Sequence, residues 1–172
     1  MISEDYRDQL SQLHQAKAGF GTSSPQYAPI IRTICRKYEP EELLDYGAGK
    51  QALKDALGIK EGYRAYDPCI PEISDVPEPA DFVVCTDVLE HIEPIYLQRV
   101  LDDLQRVTKK VGFFAIHNGA ALNVLPDGRN AHLIQETANW WMLHLIKRWN
   151  IEAFERDTYG CWAIVTPLKA NP

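Results

Sequence analysis

Residues able to do chemistry gather at a few places in the chain. Leu43-Leu44-Asp45-Tyr46-Gly47-Ala48-Gly49 is an apolar run closing on an acid and two glycines, and a helical pattern follows through Gln51, Ala52 and Leu53. Glycine lets the backbone turn sharply and approach a ligand, and a helix start offers free N–H groups. A buried parallel strand here would deliver a ligand to that helix start. Asp67 closes the next apolar run, Tyr63 to Tyr66, and its two oxygens suit a ribose diol. Asp87, Glu90 and His91 stand where a further apolar run, Asp81 to Thr86, gives way to a helical pattern. His91, His117 and His132 are side chains that, when neutral, take a proton near pH 7.

Taken alone, the glycine segment fits two cofactors. Gly47-x-Gly49-x-x-Ala52 matches the dinucleotide fingerprint, and Asp67 lies about twenty residues further on, where that fingerprint expects a ribose-binding acid. Other features favour a different ligand. Asp45 before the glycines makes Asp-x-Gly-x-Gly, which resembles the first motif of class I S-adenosylmethionine (SAM)-dependent methyltransferases. Asp81-Phe82-Val83-Val84-Cys85-Thr86-Asp87-Val88-Leu89-Glu90-His91-Ile92-Glu93-Pro94 resembles that family's fourth-strand motif. The glycine strand begins only at Leu43, whereas dinucleotide domains often open with it, and the chain is short for an added substrate domain. The resemblance runs from Asp45 to the C-terminus.

The resemblance implies a Rossmann-like α/β sheet, mostly parallel with an antiparallel C-terminal strand, and helices on both faces. It implies SAM as cofactor, with Asp45, Gly47, Ala48 and Gly49 at its amino-acid tail, Asp67 and Pro68 at the ribose, and Asp87 and Val88 at the fourth-strand end. The sequence departs from the family at two points. Only a short segment with Pro68, Pro71, Pro77 and Pro79 separates Asp67 from Asp81, so the family's third strand is expected to be missing. Glu72, Ser74 or Asp75 must then replace its adenine contact. Gln51 stands where many members carry a third glycine; its side chain either reaches the cofactor or faces solvent.

These residues need elements to position them. Residues 4–18 read as a helix with the apolar stripe Tyr6, Leu10 and Leu13. Gly19 to Pro25 breaks it, and Ser24 is placed to cap a second helix reaching Tyr38. Together, residues 1–40 form an N-terminal helical segment whose stretch Lys17 to Tyr27 is a candidate lid. A helix starting near Pro94 carries Leu97, Leu101, Leu104 and Val107 at helical spacing. The strand Val111 to His117 follows, then a long loop from Leu125 to Gln135 containing Arg129, a candidate for holding an acidic acceptor group. A helix over 136–148 would place Trp141, Leu145 and Trp149 on one side and leave Trp140 free to meet an acceptor. Ile151–Arg156 and Cys161–Pro167 read as a closing hairpin. Alternating strands and helices mean a parallel sheet covered on both faces.

The length of 172 residues suits a single domain over 1–172, and a hydrophobic share of 45% is enough for a core. The net charge of −6 provides no basic footprint, so nucleic acid is not favoured as partner. Lys109-Lys110 and Lys147-Arg148 read as cations at helix ends. The 4 cysteines form no C-x-x-C pair, and Cys85 and Cys161 read as core residues. The N-terminus lacks signal-peptide character, no stretch is long enough to span a bilayer, and a cytoplasmic setting is expected.

The function expected is methyl transfer from SAM to a small-molecule or glycan-like acceptor, on oxygen, with His91, His117 or His132 as base. The alternatives are a nucleic-acid methyltransferase and a non-catalytic SAM-binding partner. No metal is required in this reading. Asp87-x-x-Glu90-His91 with His132 nevertheless resembles the divalent-metal set of some SAM-dependent O-methyltransferases.

Overall fold

The computed structural model describes residues 2–168. Met1 and residues 169–172, part of the domain read over 1–172, lie outside the described residues. The elements are α1 (Glu4–Ala16), α2 (Ala28–Tyr38), β1 (Leu43–Tyr46), α3 (Ala52–Leu57), β2 (Tyr63–Tyr66), β3 (Ala80–Thr86), α4 (Leu97–Val107), β4 (Thr108–His117), α5 (Ala138–Leu145), β5 (Trp149–Arg156) and β6 (Gly160–Pro167).

The strands form one sheet in the order β2-β1-β3-β4-β6-β5. β6 runs antiparallel to both its neighbours, and the other pairings are parallel. The side-chain period of two divides the central strands cleanly. Val83, Cys85, Phe114 and Ile116 face one layer with α4 and α5, while Phe82, Val84, Phe113 and Ala115 face the other with α2 and α3. Burial on both sides explains why β3 reads as a nearly unbroken apolar run. Leu97, Val100, Leu101, Leu104 and Val107 give α4 a continuous buried stripe. Each such side chain contributes about 1.5–3 kcal/mol when taken from water.

The expected absence of the third family strand is realised among the described residues. β2 is the edge strand, and the connection to β3 carries only the 3-10 turn Pro71–Ile73. Prolines deny that stretch the N–H groups a further ladder would use.

Several expected boundaries move. Ser24 does not cap α2; it opens the 3-10 turn Ser24–Tyr27, and its side chain is buried. The helix read over 136–148 is shorter. Thr137 caps α5 by accepting from the Trp140 N–H, and Trp149 is the first residue of β5 instead of a helical position. Trp149 still joins Trp141 and Leu145 in one core cluster, so apolar spacing located the burial but not the backbone. Lys109 and Lys110 lie on β4, not at a helix end, and pair with Asp81 at 3.6 and 2.7 Å. Arg148 pairs with Asp102 at 2.6 Å.

Helix α1 is held against the carboxyl edge of the sheet. Ser3 caps it and also donates to Glu93, the Tyr6 hydroxyl donates to the His91 carbonyl at 2.5 Å, and the Ser11 hydroxyl donates to the Cys69 carbonyl at 2.8 Å. Among the described residues no helix is long and apolar enough to cross a membrane.

Candidate functional site

The parallel register brings the ends of β1, β2, β3 and β4 to one edge, and a cavity of about 340 Å³ opens there under α1. Open α/β sheets bind ligands at this edge. The glycine bend forms its floor. Gly47 and Ala48 both donate their N–H to the Tyr66 carbonyl, at 2.7 and 3.0 Å, which turns the chain sharply after β1. Gly47 and Gly49 have φ of +81° and +50°, and a Cβ on Gly49 would stand 2.6 Å from the Gly21 carbonyl oxygen. A Cβ on Gly47 would collide with the Val88 side chain. Both glycines are therefore required by conformation and by space.

Gln51 also lies in the left-handed region, at φ 57°, which explains why glycine suits this position. Its side chain does not line the cavity, and neither does the start of α3; Gly47, Ala48 and Gly49 do.

Asp67 stands at the rim, 6% exposed. One oxygen accepts the Gly49 N–H at 3.0 Å and the other accepts the Cys69 N–H at 2.9 Å. Each carboxylate oxygen keeps a second lone-pair direction for a ligand hydroxyl. Pro68 lines the same wall. Asp45 lies deeper, outside the cavity lining, and accepts the Tyr63 hydroxyl at 2.5 Å. Burial pushes its carboxyl up to about 6 against the lowering effect of that hydrogen bond. Glu72, Ser74 and Asp75 are exposed and away from the cavity, so they do not replace the missing strand's contact. Cys69 and Leu10, by contrast, line the cavity.

Asp87 and Val88 line the opposite wall. Asp87 holds a left-handed φ of 54°, a costly conformation for a residue with a side chain and one that recurs at functional sites. Burial raises its carboxyl, while a hydrogen bond from Ser23 and the nearby His117 and His132 act in the opposite direction. Glu90 is fully buried. Its Oε1 accepts the His117 N–H at 2.9 Å, its Oε2 has no partner, and desolvation drives its carboxyl well above the usual range.

The three histidines meet in this cavity, with ring centroids 4.7 Å apart for His91 and His132 and 4.9 Å for His117 and His132. Their partners assign them different roles. His91 Nδ1 lies 2.8 Å from the Ala131 carbonyl and His132 Nδ1 lies 2.7 Å from the Gly119 carbonyl. A carbonyl can only accept, so each Nδ1 carries the hydrogen and each Nε2 keeps a bare lone pair. His117 is the reverse. Its Nδ1 accepts the Gly119 N–H at 3.0 Å, so in the neutral ring the proton sits on Nε2. His91 and His132 are thus built to accept a proton or bind a metal, and His117 to donate. Desolvation lowers His91 to about 3 and also lowers His132, keeping both neutral at pH 7. Asn130 fixes His132: its side-chain oxygen accepts from the Ala121 and His132 N–H groups, and its amide donates to the Ala121 carbonyl, each at 2.9 Å.

Of the four candidates for a metal set, Glu90, His91 and His132 each offer an atom within 4.8 Å of the other two, and Asp87 is not in that group. Trp140 packs on Trp141 and His144 outside the cavity, and Arg129 is engaged by Asp127 at 2.6 Å and lies over the Tyr6 ring. Sequence reasoning missed His14, which reaches the cavity from α1 and packs edge-on against Phe20 at 4.8 Å. Its spacing looks like any polar position of an amphipathic helix, so nothing in the sequence singled it out.

No family model matches the chain, and no curated protein does. Solved structures do. A Burkholderia thailandensis 1,6-didemethyltoxoflavin-N1-methyltransferase, bound to 1,6-didemethyltoxoflavin and S-adenosylhomocysteine, superposes with a TM-score of 0.63 at 14% identity over 94% of this chain and 86% of that one. A DhpI–SAM–HEP complex gives 0.64 at 14% identity over 95% of each chain. The N-methyltransferase NodS from Bradyrhizobium japonicum WM9, with S-adenosylhomocysteine, gives 0.61 at 12% identity over 95% and 99%. The fold is that of class I methyltransferases. Within that fold, Gly47, Ala48, Gly49, Asp67, His91, His117 and His132 line the cavity at the carboxyl edge.

Proposed function

We propose that this chain transfers a methyl group from SAM to a hydroxyl of a small-molecule or glycan-like acceptor. The observation that carries the reading is the convergence, on one cavity, of a side-chain-free glycine bend, an acid poised for a ribose diol, and histidines with free Nε2 atoms. SAM supplies an electrophilic methyl group when bound. The chain's own part is positioning and proton handling. Gly47, Ala48 and Gly49 let the backbone approach the amino-acid tail, and Asp67 accepts the ribose hydroxyls. Asp45, at the strand end before the bend, ties β1 to β2 through the Tyr63 hydroxyl. Phe20 and Gly21 close over the bend, where the Lys50 N–H donates to the Gly21 carbonyl at 3.2 Å, which supports a lid that excludes water. His132 Nε2 takes the acceptor proton and His117 Nε2–H orients the acceptor oxygen. Holding the oxygen in line supplies several kcal/mol without further chemistry.

Calorimetry decides the cofactor: S-adenosylhomocysteine should bind with a fitted stoichiometry of about one, and NAD should release no heat. Binding of NAD alone would overturn the reading. S-adenosylhomocysteine binding with no methyl transfer to any acceptor would point to the non-catalytic alternative.

The grouping of Glu90, His91 and His132 supports a second reading, in which a divalent metal lowers the acceptor hydroxyl's pKa. The unpaired Glu90 Oε2 and two bare imidazole nitrogens fit such an ion. If they hold one, Co²⁺ titrated into the protein will develop a visible ligand-field band that Glu90→Gln weakens. No band, with turnover surviving exhaustive chelation, would leave His132 as an unaided base.

A further inference from the structure

A second, polar groove of about 360 Å³ lies beside the cavity, at the same edge of the sheet. Asn118, Gln135, Glu136, Arg156 and Asp157 line it, and Ala138 is the one apolar side chain there. Two links tie it to the histidines. Asn118 follows His117 directly at the end of β4, and the Gln135 amide donates to the His132 carbonyl at 3.0 Å. Tyr159 stands next to the groove, 70% exposed, its ring nearly parallel to that of His117 at 6.1 Å and 28°. The turn carrying it is braced: Asp157 Oδ1 accepts the N–H groups of Tyr159 and Gly160, both at 2.7 Å, and the Asn118 N–H donates to the Tyr159 carbonyl at 2.9 Å. The Asn118 side-chain oxygen is covered and has no partner.

The chemistry of the lining excludes several ligand types. Ala138 is the lone apolar residue of the lining, and the other apolar surface belongs to side chains with polar ends, so an alkyl chain or a flat hydrophobic ring would have no continuous apolar wall to lie on. One arginine against two carboxylates repels a phosphate chain. What remains is a neutral ligand with several hydroxyls. Amides, carboxylates and a guanidinium supply donors and acceptors side by side, as vicinal hydroxyls require. A braced, exposed tyrosine offers a flat apolar face with a polar tip to the C–H face of a ring.

We propose that this groove is a sugar-binding subsite of the acceptor, holding a neutral sugar ring against Tyr159, Asn118, Gln135, Arg156 and Asp157 while a hydroxyl of the same molecule reaches His132. It rests on the methyl-transfer reading and narrows the acceptor to a glycoside or other sugar-bearing molecule.

The test uses the full chain saturated with S-adenosylhomocysteine and saturation-transfer NMR. The probes are methyl glycosides of a neutral hexose, a 6-deoxyhexose and a hexuronic acid, with uridine monophosphate as the nucleotide control. At least one neutral glycoside should receive magnetisation on its ring protons. Tyr159→Ala should weaken that glycoside by about threefold to tenfold, and Arg156→Ala should also weaken it, with affinity for S-adenosylhomocysteine unchanged in both. Tyr159 is exposed, so its replacement leaves the core intact. Signal from none of the glycosides, signal only from the nucleotide, or glycoside binding indifferent to both substitutions would overturn the proposal. If the unaltered protein binds no S-adenosylhomocysteine, it is the methyl-transfer reading that fails, and calorimetry shows this separately.

Discussion

Asp67→Ala should weaken S-adenosylhomocysteine binding by at least about 100-fold, because the carboxylate performs two tasks at once. It accepts the Gly49 and Cys69 N–H groups, which holds the bend and the wall in their ligand-ready shape. In the proposed function its remaining lone pairs accept the ribose hydroxyls. Alanine leaves two N–H groups without an acceptor in a nearly buried place, at a cost of about 1–3 kcal/mol each. The bend then loses its brace and the ligand its hydrogen-bond partner. Calorimetry should show the loss of binding, and thermal unfolding should shift down by several degrees without loss of the folded circular-dichroism spectrum. Asp67→Asn separates the tasks. It keeps one acceptor oxygen but turns an NH₂ toward a backbone N–H, so affinity should stay far below that of the unaltered protein. Unchanged affinity in the alanine variant would remove Asp67 from the ligand site.

His132→Ala should lower kcat by about 10²–10⁴, the range general-base catalysis supplies, while leaving S-adenosylhomocysteine affinity in place. His132 is 8% exposed and its free nitrogen is Nε2. Desolvation lowers its pKa from the ordinary 6.5, so the ring is neutral and able to take a proton at pH 7. Turnover should therefore fall on acidification at a lower pH than an ordinary histidine would impose, as the ring is protonated; in the alanine variant that acid limb should vanish. The same shift acts on stability. His91 and His132 have lower pKa values in the folded chain than in the unfolded one. The unfolded chain takes up protons first as pH falls below 6.5, and these two residues destabilise the fold progressively from there. Rates belong in the range where circular dichroism shows the chain folded. A kcat insensitive to His132→Ala would assign the proton to another group, with His91 Nε2 the remaining acceptor.

The parallel strands and their carboxyl edge were legible because their signals are local. Apolar runs, glycines and the acids at strand ends repeat within a few residues, and a parallel sheet sends every such end to the same side. Those local signals alone bring Gly47, Gly49, Asp67, Asp87 and His117 to one edge, where they line a single cavity. The missing third strand was equally readable, since the proline-rich stretch before Asp81 has no room for it. Trp149 shows the limit of periodicity. Burial at helical spacing was right, yet the residue starts a strand, because one apolar side chain can reach the same core from either backbone.

The sequence by itself determined the order of the elements, the glycine bend and the identity of the groups available for chemistry. Tertiary structure decided which of their atoms remain free. Three histidines looked alike in the sequence. The carbonyls of Ala131 and Gly119 and the N–H of Gly119, brought in by the loops after β4, make two of them proton acceptors and one a donor. The same packing set Asp45 beneath the cavity, drew His14 into it and turned Glu72, Ser74 and Asp75 away. Side-chain type is written residue by residue, but hydrogen-bond partners and desolvation come from segments distant in the chain, and those two quantities set what each group can do.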